Sequence, residues 1–259
     1  MTVGLQGKSV LITGASRGIG AAVARTLAKA GCSLHLAARD KASLSENAAR
    51  LTSDYGVEAH IHALDLSAAG DVARLGEACR DVDILVNNAG DIPLGALEDL
   101  DPAKWRHAWD LKVYGYVDLS RIIYPQMCKR GNGVIINVVG AAGKRANYNY
   151  IAGCMANAAL DMFTQCLGGE SMRHGVRVVS VDPGPTNSDR HLAHVKQRAK
   201  RQLGEESRWP ELQAKFPARR AAHVDEVASV VAFLASDAAS YVSGTSIKVD
   251  GGISSSRSS

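Results

Sequence analysis

The chain is poor in the features that mark a stapled, membrane-spanning or nucleic-acid-binding protein. Its five cysteines (Cys32, Cys79, Cys128, Cys154, Cys166) are odd in number, far apart and without a CxxC pair. That spacing indicates neither a disulfide framework nor a zinc site, and buried thiols are expected. The longest uncharged stretch, from Ala146 to Leu160, is too short and too rich in asparagine to span a bilayer. The opening MTVGLQGKSVLITG holds no basic-then-apolar leader pattern and no small-residue cleavage site, so a cytoplasmic protein is expected. A net charge of +4 suits an anionic ligand but is too small for a nucleic-acid footprint. Repeats, low-complexity runs and interdomain linkers are also missing, and only the tail SSSRSS, from about residue 254, reads as disordered. What remains is ordinary globular composition over 259 residues, 46% hydrophobic and 22% charged, which predicts one domain spanning 1–259.

Short β-branched runs alternate with longer helical patterns from end to end. Strands are expected at 9–14, 33–38, 58–65, 83–88, 133–139, 177–182 and 246–250. Between the first two, Ile19, Val23 and Leu27 recur at helical spacing before Gly31 stops the helix. Near-continuous apolar strands in strict alternation with helices predict an α/β, doubly wound parallel sheet covered on both faces, a three-layer arrangement. One segment, about 188–218, interrupts the alternation after a strand end. In it Leu192, Val195, Ala199 and Leu203 can form one face of a helix and Lys196, Arg198, Lys200 and Arg201 the other. Its place beside the carboxyl ends of the strands suits a lid, and a solvated surface helix fits the pattern equally.

TGASRGIG (13–20) joins the first strand to the first helix. Glycines at 14, 18 and 20 permit a tight turn and let the helix amino end face a pyrophosphate. The turn therefore offers Gly14, Ser16, Arg17, Gly18, Ile19 and Gly20 to a dinucleotide. At the end of the second strand, where an acidic side chain would bind an adenosine 2′-hydroxyl, stands Ala38, followed by Arg39. Two guanidinium groups, Arg17 and Arg39, suit a 2′-phosphate, so NADP(H) is expected in preference to NAD(H).

With TGASRGIG, DLS (65–67), NNAG (87–90), DPGPT (182–186) and VDGG (249–252) in this order, the sequence resembles a classical short-chain dehydrogenase/reductase from about Lys8 to Ile253. The resemblance implies a seven-stranded Rossmann fold, a homodimer or homotetramer, and a small-molecule substrate. It also implies adenine contacts near Asp65 and Leu66, backbone support from Asn88, Ala89 and Gly90, and carboxamide contacts near Pro183, Gly184 and Thr186. In the family, a tyrosine exchanges the proton, a lysine four residues later lowers its pKa, a serine holds the substrate oxygen, and a helical asparagine anchors a relay water. On this chain the resemblance puts Gly140 at the serine, Gly153 at the tyrosine, Asn157 at the lysine and Lys112 at the asparagine. Neither Tyr148 nor Tyr150 has a lysine four residues on.

Hydrogen in place of a phenol at 153 and an amide in place of a lysine at 157 would open space beside the nicotinamide ribose. Lys112, reaching in from the neighbouring helix with its charge disfavoured by burial, is the first candidate proton donor, and Tyr150, one helical turn before Gly153, is the second. The reading is an NADP(H)-dependent oxidoreductase acting on a carbonyl or alcohol with a non-standard site. A nucleotide-binding protein without turnover, acting as sensor, scaffold or partner subunit, and a non-redox lyase or dehydratase stay open beside it. No metal is expected.

Overall fold

In a computed structural model, residues 3–144 and 146–256 are described. Seven parallel strands, β1 (Ser9–Thr13), β2 (Ser33–Ala38), β3 (Ala59–Ala63), β4 (Ile84–Asn87), β5 (Gly133–Val138), β6 (Val176–Pro183) and β7 (Ser246–Val249), form one sheet in the order β3-β2-β1-β4-β5-β6-β7. Every adjacent pair is parallel. The order reverses direction between β1 and β4, and that switch point creates a crevice at the carboxyl ends of the strands. Each expected strand is present, with no end moved by more than two residues.

Burial follows sheet position. β4 and β5 are buried at every residue, whereas the edge strands β3 and β7 are not. One face packs on α1 (Gly18–Lys29), α2 (Lys41–Tyr55) and α9 (Val224–Ala235), through Val23, Leu27, Leu44 and Val231 against Val10, Ile12 and Leu36. On the other lie α3 (Ala69–Ala78), α5 (Gly115–Arg130) and α6 (Ile151–Ser171), with Leu75, Leu119 and Ile123 packing on Leu11, Leu85 and Ile135. The three layers are those of a Rossmann sheet.

The 188–218 segment folds as α7 (Asp189–Leu203) and the short α8 (Trp209–Gln213). Val195 and Ala199 pack on Leu212, with Leu203 and Trp209 partly buried beside them. Leu192, expected on that face, is instead 37% exposed and lines a cleft with Asp189, Lys196 and Glu206. The serine tail does not begin disordered: Ile253–Ser255 forms a 3₁₀ turn because the Asp250 carboxylate accepts hydrogen bonds from the backbone of Gly252 and Ser254. Residues 257–259 lie outside the described residues. Of the thiols expected to be buried, Cys32 and Cys79 are, while Cys166 is exposed.

Two adjacent glycines in α6 make a direct test of the packing. A Cβ at Gly168 would fall 2.3 Å from the Gly244 backbone nitrogen, whereas one at Gly169 would meet nothing within 4 Å. Gly168→Ala is expected to destabilise the fold by about 1–3 kcal/mol and Gly169→Ala to stabilise it by roughly 0.5–1 kcal/mol. Denaturant midpoints of the two variants check this, and equal effects would contradict it.

Candidate active site

The crevice begins at the glycine turn. Gly14 and Gly18 take positive φ, 67° and 59°, and a Cβ at Gly20 would sit 2.2 Å from the Gly14 carbonyl. The turn is pinned from two sides. Asn88 donates through Nδ2 to the Thr13 carbonyl at 2.9 Å, while Thr13 Oγ1 accepts from the backbone of Asn88 and Ala89. Asn47 Nδ2 donates to the Ser16 carbonyl at 2.8 Å. Helix α1 starts with no side-chain cap and no acid in its first turn, so its amino-end N–H groups are left for an anion. These residues fit a dinucleotide pyrophosphate.

Arg17 and Arg39 are both exposed at the mouth of this turn. Arg39 helps hold the Asp65 carboxyl low. Burial opposes that shift, and hydrogen bonds from Ser67 with the Arg39 charge outweigh it. Ile19 packs partly on the core and Leu66 wholly within it. Across the crevice, Gly184 donates to the Val249 carbonyl and lies against Asp250, Pro183 ends β6, and Thr186 Oγ1 donates to the Gly184 carbonyl.

Lys112, Gly140 and Asn157 meet in one group, Tyr150 and Gly153 in a second, and Arg190 stands near both. Lys112 sits in a π-helical turn, Asp110–Tyr114, between α4 (Pro102–Trp109) and α5. Such a turn changes the phase of a helix and recurs at functional sites. From it the buried Lys112 amine donates to the Val139 carbonyl at 2.5 Å and to Asn157 Oδ1 at 2.9 Å. Its stem passes 3.0 Å from where a Gly90 Cβ would be. Burial, reinforced by the Arg190 charge and opposed by Asp182 and Asp161, lowers its pKa from 10.5 to about 7. Gly140 has φ +137° and faces the Asn157 amide.

Tyr150 precedes the first residue of α6 and folds its ring back over Gly153. A Cβ at 153 would fall 2.1 Å from that ring. The phenol thus fills space that a side chain at 153 would enter, within a cluster of Ile92, Val113, Ala152 and Ala156. Burial pushes its pKa up, with Arg190 working against that shift.

Several participants were not read from the sequence. Arg190, in the first turn of α7, donates to the Gly90 carbonyl at 3.0 Å and the Ile92 carbonyl at 2.5 Å. Ser188 at the same helix end lies against Gly18. Helix α7 therefore bridges the glycine turn and the loop after β4. The signal was a base in a helical first turn, where the dipole disfavours one. Beneath Gly140, Asp182 and Asp161 form a buried acidic pair. Burial and then Asp161 push Asp182 up to about 7, against the pull of Lys144. Lys144 reaches Asp161 at 2.8 Å, and Ser180 and Ser246 donate to it. Two acids inside apolar runs were the available clue.

A parallel Rossmann sheet with a glycine turn and a convergent polar pocket at its switch point defines a nucleotide-dependent enzyme. Comparisons agree. A family model described as enoyl-(acyl carrier protein) reductase matches residues 14–254. The 3-oxoacyl-[acyl-carrier-protein] reductase FabG of Escherichia coli K12 is 35% identical over 256 residues, 96% of this chain and 98% of its own. L-Sorbose reductase from Gluconobacter frateurii, solved with NADPH and L-sorbose, superposes with a TM-score of 0.90 at 32% identity, over 99% of this chain and 100% of that one. An actinorhodin polyketide ketoreductase solved with NADPH gives 0.90 at 27%, over 98% and 100%. The chain belongs to the short-chain dehydrogenase/reductase family and is an oxidoreductase of it. No helix among the described residues is long and apolar enough to cross a membrane.

Because folding lowers the Lys112 pKa from 10.5 to about 7, the unfolded chain binds more protons there between those values. The contribution of Lys112 to stability is greatest above pH 10.5, falls as pH drops toward 7 and levels off below. Lys112→Met removes it. The stability of this variant relative to wild type should therefore grow as pH falls across that window in denaturant titrations, and a pH-independent difference would contradict the burial of the amine.

Proposed function

We propose that the chain is an NADP(H)-dependent reductase or dehydrogenase for a carbonyl/alcohol pair in which the Lys112 ammonium, not a tyrosine–lysine couple of α6, exchanges the proton with the substrate oxygen. The observation that carries this reading is the buried Lys112 amine between Val139 and Asn157. It brings a titratable nitrogen from another helix to the position the resemblance gives to the family lysine. A group that titrates near the working pH is suited to both giving and taking a proton.

In this proposal Gly14, Ser16, Arg17, Gly18, Ile19 and Gly20 hold the dinucleotide with Asp65, Leu66, Asn88, Ala89, Gly90, Pro183, Gly184 and Thr186, and Arg17 and Arg39 take a 2′-phosphate. When bound, a nicotinamide supplies or accepts hydride. The chain's own part is to orient the carbonyl and move one proton. Tyr150, its phenol kept protonated by burial, donates a hydrogen bond to the substrate oxygen while Lys112 gives or takes the proton. Asp161 and Asp182 favour the charged lysine and Arg190 opposes it, which keeps both forms within reach.

The names of the relatives, a 3-oxoacyl reductase and a sorbose reductase, support a carbonyl substrate. The exposed bases of α7, Arg198, Lys200 and Arg201, suit one carrying a carboxylate or thioester-linked group, with the segment 188–218 acting as a lid. Tyr114, Met155 and Met162, 54%, 48% and 57% exposed, give the π turn and α6 exposed apolar side chains suited to a homodimer or homotetramer.

With NADPH and a panel of carbonyl compounds, wild type should turn over at least one. Lys112→Met should cut kcat by about 10²-fold or more, with a smaller loss in Tyr150→Phe. Replacing Arg17 and Arg39 by alanine should weaken NADPH at least about tenfold relative to NADH. A Lys112→Met enzyme as active as wild type would overturn the proton assignment. NADPH binding without consumption across the panel would instead indicate a nucleotide-binding protein without turnover.

A further inference from the structure

At the opposite side of the sheet from the catalytic cluster, three donor atoms that no catalytic step uses lie together. His35 is in the middle of β2, His62 is in the edge strand β3, and Cys79 follows the last residue of α3. His35 Nδ1 lies 3.0 Å from His62 Nε2, and Cys79 Sγ 3.6 Å from the same nitrogen. All three atoms fall within 4.8 Å of one another.

The register explains the convergence. His35 pairs with His60, and Ala37 with His62. His35, Ala37, His60 and His62 therefore share the sheet face that α3 covers. Ala37, the small residue opposite His62, leaves room for the two imidazoles to approach, with ring centroids 5.3 Å apart. Cys79 is buried and its backbone N–H donates to the Leu75 carbonyl, which fixes the thiol at the end of α3. His60 stands 5.0 Å from His35, centroid to centroid, and its side chain is 57% exposed.

Hydrogen bonding accounts poorly for this cluster. His62 Nε2 carries either one proton or one lone pair, yet it faces both His35 Nδ1 and Cys79 Sγ. A metal ion satisfies all three at once. Zinc bonds of about 2.0–2.1 Å to nitrogen and 2.3 Å to sulfur place ligand atoms roughly 3.3–3.7 Å apart around a tetrahedron. The Cys79–His62 separation of 3.6 Å falls in that range, and the His35–His62 separation of 3.0 Å lies just below it.

We propose that His35, His62 and Cys79 form a transition-metal site of two imidazoles and one thiolate, of the class that takes Zn(II), with His60 or water in the fourth position. On binding, the Cys79 thiol releases its proton to solvent. The ion ties the edge strand and the end of α3 to β2. Cysteine spacing does not advertise it, because the donors come from three separate elements.

The test uses full-length protein carrying no histidine tag. Titration with Co(II) should give a thiolate-to-cobalt charge-transfer band saturating at about one ion per chain, and Zn(II) should displace it and raise Tm. Cys79→Ser should abolish the band and Cys166→Ser leave it. His62→Gln, at a half-buried edge position, should weaken Co(II) at least about 100-fold, beyond the range of an outer-sphere partner. It carries the test if Cys79→Ser fails to fold. No charge-transfer band in wild type, or one that survives both Cys79→Ser and His62→Gln, would overturn the proposal.

Discussion

The proposed chemistry depends on a single amine held out of water. Lys112 reaches the crevice only because the helix that carries it passes through a π turn, and its amine is kept there by the Val139 carbonyl and the Asn157 amide. Each acceptor is neutral, so neither repays the full cost of desolvating an ammonium. The result is a lysine that titrates near neutrality rather than a buried permanent charge. Hydrogen at 140 and an amide at 157 border the amine, while the space at 153 is filled by the Tyr150 ring. Gly140, at φ +137°, also takes a backbone conformation that a side chain would strain.

The surroundings follow from that arrangement. The Asp161–Asp182 pair lies on the far side of Gly140, close enough to favour the charged amine, while Arg190 approaches from the lid and disfavours it. Arg190 also holds α7 to the Gly90 and Ile92 carbonyls. The same side chain thus ties the position of α7 to the field at Lys112. Tyr150 links the same parts, since its ring covers Gly153 and its phenol lies beside Arg190.

Much of this was legible in the residues. The seven strands announce themselves because their apolar runs are buried on both sheet faces, and the glycine turn because its context between strand and helix is local in sequence. The replacements at 140, 153 and 157 could be placed because a thirteen-residue spacing is kept. What escaped was non-local. Asp161 and Asp182 lie in separate apolar runs, and only the packing of α6 on β6 brings them together. Arg190 looks like one more base in a basic helix until α7 docks on the loop after β4. Leu192 follows helical periodicity into the expected apolar face, yet packing on α8 takes Val195, Ala199 and part of Leu203 and leaves Leu192 out. The tail reads as disordered by composition, and Asp250 orders its first residues through backbone hydrogen bonds that composition does not register.

The central claim is that the Lys112 amine loses its proton near neutral pH. Nitrogen-detected NMR of the lysine side chains, with the Lys112 resonance assigned by its loss in Lys112→Met, measures this directly. The account predicts a titration midpoint near 7 for the Lys112 resonance. A Lys112 amine that stays protonated well above neutral pH would contradict it.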